Sequence, residues 1–541
     1  MKVLLERTAC HAPNNAVAIP AGISLFQRKP VAELVQVGID QPLRRTLGAA
    51  GLVALGIGAI IGAGLFSLTG IAAAQYAGPA VVLSFVVAAI GCAFAGMCYS
   101  ELASMIPAAG SAYTYAYATM GELIAWIIGW DLVLEYAVGA GTVAVSWSAY
   151  VMSLLRGWGV DLPPQYLASP FNTVKLADGT QVAGVVNLPA VFIIVLISLL
   201  LIRGIRESAR VNAVIVVIKV AVVLTVVGCG AFYVHAHNYQ PFIPPNTGEF
   251  GHFGWSGIMR GAGIIFFAYI GFDAVSTAAQ ETKNPQRDMP IGILGSLAIC
   301  TVLYIAFALV LTGIVSYRDM LGDAAPVATA IDRTPFHWLQ MAVKLGIIGG
   351  FTTAILVMLL GQSRVFYTMA QDGLLPRAFR MVQPSCRTPW VSNLIFMVFS
   401  GALAGFLPIE WLGHMTSIGT LLAFIIVCAA VIVLRRTNPE QLRGYWTPLS
   451  PWVPILGILV CLAMMVSLDR ATWFRLLVWL VVGQLIYFGY SRGHSRIGRA
   501  RPVDGAESGE RLLKRGLGAG GSRQDRASRA VTSWTQSIYN R

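Results

Sequence analysis

Five ionisable residues lie inside or at the ends of long apolar runs, and they are the first chemistry the chain offers: Lys219, Glu135 with Asp131 before it, Asp273 and Arg364. Lys219 stands in VNAVIVVIKVAVVLTVVG, nine residues beyond Arg210, which at 1.5 Å per helical residue is about 13 Å into a hydrocarbon core. An ammonium at that depth is costly and cannot easily reach back to the nearer interface, so the functional reading is a proton-coupling residue. The alternative is a lysine neutralised by helix carbonyls or a fixed acid. Asp131 and Glu135 in GWDLVLEYAVGA are four residues apart and face one side of a helix. Glu135, the deeper, either lines a pathway or partners a cation, or else caps a buried hydrogen-bond network. Asp273 is expected to N-cap the helix segment that follows it, with substrate contact or gating as the alternative. Arg364, eight residues before Asp372 in SRVFYTMAQDGLLP, falls at a helix end and is a gate candidate.

Two segments could position these groups. GLVALGIGAIIGAGLFSLTG places Gly56, Gly58, Gly62 and Gly64 in mid-span, and each glycine weakens a helix by up to about 1 kcal/mol relative to alanine. IMRGAGIIFFAYIGFDAVSTAAQE carries Gly271 between Phe266–Phe267 and Asp273. Interrupted spans at matching places in two halves point to a transporter site at the bilayer midplane, and spans one and six are the pair that a five-plus-five repeat requires. Freed N–H groups at a half-helix start attract a carboxylate, and freed carbonyls accept from an ammonium, so one site can hold both ends of an amino acid. The competing reading is close helix packing, because Gly58 and Gly62 also form a GxxxG pattern. A dinucleotide fingerprint is excluded, since no strand precedes these glycines.

The whole chain fits that setting. Of 541 residues 56% are hydrophobic and 12% charged, with mean hydropathy +0.69, where soluble domains carry about a quarter charged residues. The expected fold is an all-α polytopic membrane protein of about twelve spans, near 47–75, 80–106, 122–150, 186–203, 209–234, 256–281, 290–315, 343–370, 391–408, 411–433, 452–469 and 471–490. Residues 1–41 hold no secretory signal pattern, so the first span is expected to direct insertion; residues 42–490 form the transport domain. The tail 491–541 has eleven Lys/Arg against four Asp/Glu and little apolar content, the composition of a disordered cytoplasmic segment beside anionic lipid rather than of a nucleic-acid site. Lys/Arg-rich loops (Arg44–Arg45, Arg203 to Arg210, Lys283 with Arg287, Arg377 to Arg387, Arg435 to Arg443) alternate with poorer ones, so both termini are expected on the cytoplasmic side. Eight cysteines are scattered without a CxxC pair, and His235 and His237 have no further ligands near them, so neither a metal nor a cofactor is expected.

The runs GIGAIIGAGLFSLTG, YSELASMIPAAGSAYTYAY, IIGWDLVLEYAVG, FFAYIGFDAVSTAAQETKNPQRDMPIGI and SRVFYTMAQDGLLP, with LFQRKPVAEL before them, resemble the cationic amino-acid transporter branch of the amino acid, polyamine and organocation superfamily, in order from Leu25 to Tyr490. The resemblance implies two inverted five-helix repeats plus two further helices, working by alternating access. Carried over by motif, the substrate carboxylate would meet backbone amides around Gly62, Ala63 and Gly64, and the ammonium would meet carbonyls of Ile60, Phe267, Ala268 and Ile270. Lys219 matches the fifth-helix lysine that, in proton-coupled bacterial relatives, stands where sodium binds in sodium-coupled cousins. Relatives that accept arginine or lysine carry a small polar residue where Met358 stands here. A flexible apolar wall fits neutral side chains better, so small or medium neutral amino acids such as alanine, taken up with protons, are the expected cargo.

Alternatives stay open at this level: an exchanger, a carrier of cationic amino acids, or a nutrient-sensing receptor. A membrane enzyme is disfavoured because no nucleophile–base, metal or redox motif is present. The expected partners are the amino acid, protons and the lipid bilayer, with any small membrane-protein partner unknown. A bacterial inner membrane is the expected location.

Overall fold

The computed structural model describes residues 25–30, 47–106, 110–175, 180–204, 209–383, 388–441 and 443–496. Most of the N-terminal segment 1–41, the loop residues Arg44, Arg45, Arg206 and Arg387, and the tail beyond Arg496 lie outside them. The compact unit runs to Ser495 and its described residues form twelve apolar helical spans. The first is in two pieces, Ala49–Ile60 and 64–77. Val81–Met105, Glu122–Gly157, Leu188–Ile202 and Ala209–Gly230 follow. The sixth is Gly254–Ile265, a tight turn Phe266–Tyr269 and the short helix Ala274–Thr277. Pro285–Ile314, His337–Gln371, Trp390–Phe406 and Ile409–Thr437 complete the second set of five. Trp452–Ser467 and Arg470–Ile486 come last, and helix continues through Tyr487–Ser491 to His494, past the expected end at 490.

Burial along the fifth span shows how each helix divides its surface. Val216, Lys219, Val222, Val223 and Val226 are buried, whereas Val214, Val217, Ile218 and Leu224 are exposed. That is one helical stripe toward protein and one toward lipid, and the lysine is on the protein stripe. The third and eighth helices run longer than expected, to Gly157 and from His337. Three elements were not expected. A short helix Ser111–Thr119 joins spans two and three, an antiparallel pair of strands Thr173–Lys175 and Gln181–Ala183 follows span three, and a helix Pro326–Asp332 precedes span eight.

Two polar clusters fasten helix ends. Glu101, fully buried at the end of the second span, receives both a bidentate bond from Arg435 (3.0 and 2.6 Å) and the N–H of Thr447 at 2.8 Å. Arg443 Nε stands 3.2 Å away, and both guanidinium groups lie over the Trp446 ring. Glu101 therefore ties span two to the connection after span ten. Asp469 caps the twelfth span by accepting the Thr472 N–H at 3.1 Å and hydroxyl at 2.5 Å, with His414 Nδ1 at 3.4 Å. Burial raises its pKa, but the bonds from His414 and Thr472 outweigh that and hold the carboxyl well below the usual range. Asp469→Ala is expected to destabilise the detergent-solubilised protein by about 1 kcal/mol near neutral pH. A carboxyl whose folded pKa is depressed contributes stability above its unfolded value and loses it as the pH falls further. The gap between thermal scans of parent and variant should therefore stay constant above about pH 4 and shrink progressively as the pH falls below it.

Candidate site at the two helix breaks

The first span unwinds at Ile61, whose ψ of 107° leaves the helical range. Beyond it the first amides to find an intrahelical acceptor are those of Leu65 and Phe66, both on Gly62 O. The N–H groups of Gly62, Ala63 and Gly64 are thus at the start of a half-helix, where donors lack partners within the helix. The sixth span breaks at Ile270 and Gly271, the latter at φ +120°. The two breaks touch backbone to backbone. A Cβ on Gly64 would come 2.5 Å from the backbone N and 2.6 Å from the Cβ of Ala268, and one on Gly271 would come 2.7 Å from Ala59 O. A Cβ on Gly62 would meet nothing closer than Ile60 O at 3.9 Å. Close packing therefore explains Gly64, while Gly62 borders open space. Ile60, Ala63, Phe267, Ala268 and Ile270 are all buried.

The carbonyls at the breaks already have partial partners, one of which the sequence did not suggest. The Tyr304 hydroxyl, from the seventh span, lies 2.8 Å from Ile60 O and 3.0 Å from Ala268 O. Phe267 O accepts from the Ile270 amide at 3.2 Å. Each carbonyl oxygen has two lone pairs, so an ammonium can still be received. Tyr304→Phe removes the donor bridging the two breaks and leaves buried acceptors short of a partner, a cost of about 1–3 kcal/mol. Lower thermal stability and a raised KM for uptake are the expected results, read by melting and initial-rate transport.

Lys219 Nζ donates to Gly58 O at 2.7 Å, a last-turn carbonyl of the first half-helix that has no acceptor role within it. The ammonium thus stands at the negative end of that half-helix, while the stem packs against Gly350 of the eighth span, where a Cβ would be 2.9 Å from Cε. Met358 is half-buried eight residues further along the same eighth span, beside Gly139 of the third span, which Thr416 also approaches.

Glu135 sits in a π turn, Leu134–Val138, within the third span, the kind of irregularity that often marks a functional position. It and Asp131 are buried, and none of their carboxylate oxygens accepts a hydrogen bond. Asp273 and Thr420 are the neighbours of the Glu135 carboxyl, close to it but without hydrogen-bond geometry. Asp131 faces Gly419 of the tenth span. The expected capping by Asp273 needs correction: its side chain makes no bond to the helix that follows. Oδ1 accepts instead from the Gly271 amide at 3.2 Å, which the left-handed turn directs back toward it, and Oδ2 from Tyr136 OH at 3.3 Å. Arg364 is exposed, and Asp372 pairs elsewhere, with Lys29 Nζ at 2.9 Å and Tyr113 OH at 2.8 Å. The segment Leu25–Pro30 that carries Lys29 is itself held by the amides of Glu122 and Leu123 on Gln27 O and Leu25 O. Among the described residues no group of three or more His, Cys, Asp or Glu could hold a metal ion.

A family model described as amino acid permease matches residues 47–486. The chain is 44% identical to a branched-chain amino acid permease of Bacillus subtilis over 88% of its own length and 99% of the relative's. It is 43% identical to a methylthioribose transporter of the same organism, over 88% and 100%. A vacuolar cationic amino acid transporter of Arabidopsis thaliana is 30% identical over 88% and 97%.

Proposed function

Because the chain belongs to the amino acid permease family and carries amino acids across a membrane, we propose that its cargo is a neutral aliphatic L-amino acid and that a proton moves with it. The observation that carries the coupling is the Lys219 ammonium on Gly58 O. Loss of that proton weakens the hold of the fifth span on the half-helix Ala49–Ile60, whose end forms one side of the substrate site. Movement of that half-helix is what alternating access requires, so the charge on Lys219 sets which access state is favoured. The carboxylate of the cargo is held by the amides of Gly62, Ala63 and Gly64, and its ammonium by carbonyls of Ile60, Phe267, Ala268 and Ile270. Glu135 and Asp273 form the path below the breaks: two carboxyls side by side repel when both are charged, and one proton between them removes the repulsion. Arg364, exposed on the eighth span, serves at the edge of that path at most.

Met358 supports a neutral side chain, as does the name of the branched-chain permease to which this chain is similar. The methylthioribose transporter favours a second cargo, a thioether sugar without charged ends. The charge pattern of the loops supports both termini in the cytoplasm, and a bacterial plasma membrane is the proposed home. Proteoliposomes holding the full chain should accumulate leucine, and alanine more weakly, when the outside is made acidic. Arginine and methylthioribose should fail to compete. Competition by methylthioribose alone would replace the proposed cargo, and counterflow indifferent to a pH gradient would replace symport by exchange.

A further inference from the structure

Where the third span ends, a cavity of about 290 Å³ opens between that span, the loop after it and the connection from span seven to span eight. Charges of opposite sign line it, Arg156 from the span and Asp323 from the connection. Asp323 is fixed in place by the Ala325 N–H at 2.8 Å and the Thr329 hydroxyl at 2.5 Å, and a carboxylate with about four lone-pair sites has room for more donors. Among the described residues Arg156 is engaged only by Asp161 at 3.7 Å, both side chains being well exposed, an arrangement that contributes little and is readily exchanged. Met152, Leu167 and Val174 supply an apolar wall. The volume is near the lower end for small-molecule sites, which run from about 300 Å³ upward, and so suits a ligand the size of a single amino acid.

We infer that this cavity is a second binding site for a zwitterionic α-amino acid, with its carboxylate on Arg156, its ammonium on Asp323 and an aliphatic side chain against Met152 and Leu167. The assignment rests on amino-acid transport by this chain and is independent of proton coupling. Both walls bear on the half of the first span that follows the break. Tyr150, on the helix that carries Met152 and Arg156, donates to Phe66 O at 2.6 Å. Pro326, which begins the helix carrying Thr329, packs on Gly70, where a Cβ would lie 2.6 Å from it. An amino acid bridging Arg156 and Asp323 braces those two contacts at once, so occupancy of the outer site stabilises the arrangement in which that half-span is held still.

Equilibrium binding of labelled leucine to the full-length protein in detergent tests this. The parent should bind two leucines per chain, one tight and one weak. Arg156→Gln should weaken the weak class by at least about tenfold, as expected for loss of a charged hydrogen bond, and leave the tight class unchanged. Leu167→Trp, which fills the cavity without touching either charge, should remove the weak class alone. A single leucine per chain in the parent, or two unaltered classes in both variants, overturns the assignment. Absence of all amino-acid binding in the parent would instead overturn the cargo reading on which it rests.

Discussion

Lys219→Ala abolishes gradient-driven accumulation of leucine in proteoliposomes while leaving the protein folded and able to exchange leucine for leucine. A gradient of one pH unit stores about 1.4 kcal/mol per proton, enough for a tenfold concentration ratio at one proton per leucine. The parent should approach that ratio and the variant should stay at unity. The expected effect is large because Lys219 contributes both the charge and the donor at Gly58 O, at the end of the half-helix that must move. Alanine also leaves space beside Gly350, which packs on the lysine stem. Gly350→Ala is the graded companion: its methyl group presses on Cε and should shift the pH dependence of uptake without abolishing it. Equal accumulation by parent and Lys219→Ala would remove the lysine from coupling and return it to the alternative role of a cation satisfying helix carbonyls.

The second large effect separates two glycines only two residues apart. Gly64→Ala drives a methyl group into the backbone of Ala268, and neither partner has a flexible side chain to yield. The two breaks must part, at a cost of several times the roughly 1–3 kcal/mol typical of overpacking a core with side chains that can adjust. Poor yield, a lowered melting temperature and loss of transport are expected together. Gly62→Ala puts its methyl group into open space, where the proposed carboxylate belongs, so the protein should melt like the parent yet lose uptake by about tenfold or more. Normal uptake by Gly62→Ala would move the carboxylate site elsewhere, and normal melting of Gly64→Ala would mean that the breaks are not in rigid contact.

The spans were legible because burial in lipid writes itself as unbroken apolar runs, and the breaks because glycine-interrupted segments recur at corresponding places, spans one and six. What stayed hidden depends on neighbours far off in the chain. Tyr304 meets Ile60 across 244 residues and Lys29 meets Asp372 across 343, and nothing local in LYIAFAL or QRKP announces either. Arg364 was placed by depth along its helix, but whether it faces a partner is a question of azimuth. The eighth span is flanked by protein along much of its length, so helical periodicity leaves its facing sides ambiguous. The lysine at 219 was readable in depth, while the side it faces became visible only in the burial stripe of the folded fifth span.

The ion-pair cluster around Glu101 also sets a timetable for biosynthesis. Arg435 is encoded 334 residues after Glu101, so at roughly 5–20 residues per second the acid leaves the ribosome about 15–70 seconds before its first guanidinium partner. Throughout that interval the second span has an acidic end with no mate, and the half-made chain cannot close its tenth and eleventh helices against it. Assembly is therefore finished late and from the C-terminal side. A ribosome that stops before Arg435 releases a product whose defect is electrostatic, recognisable to quality control even though nine of its membrane helices have already been made.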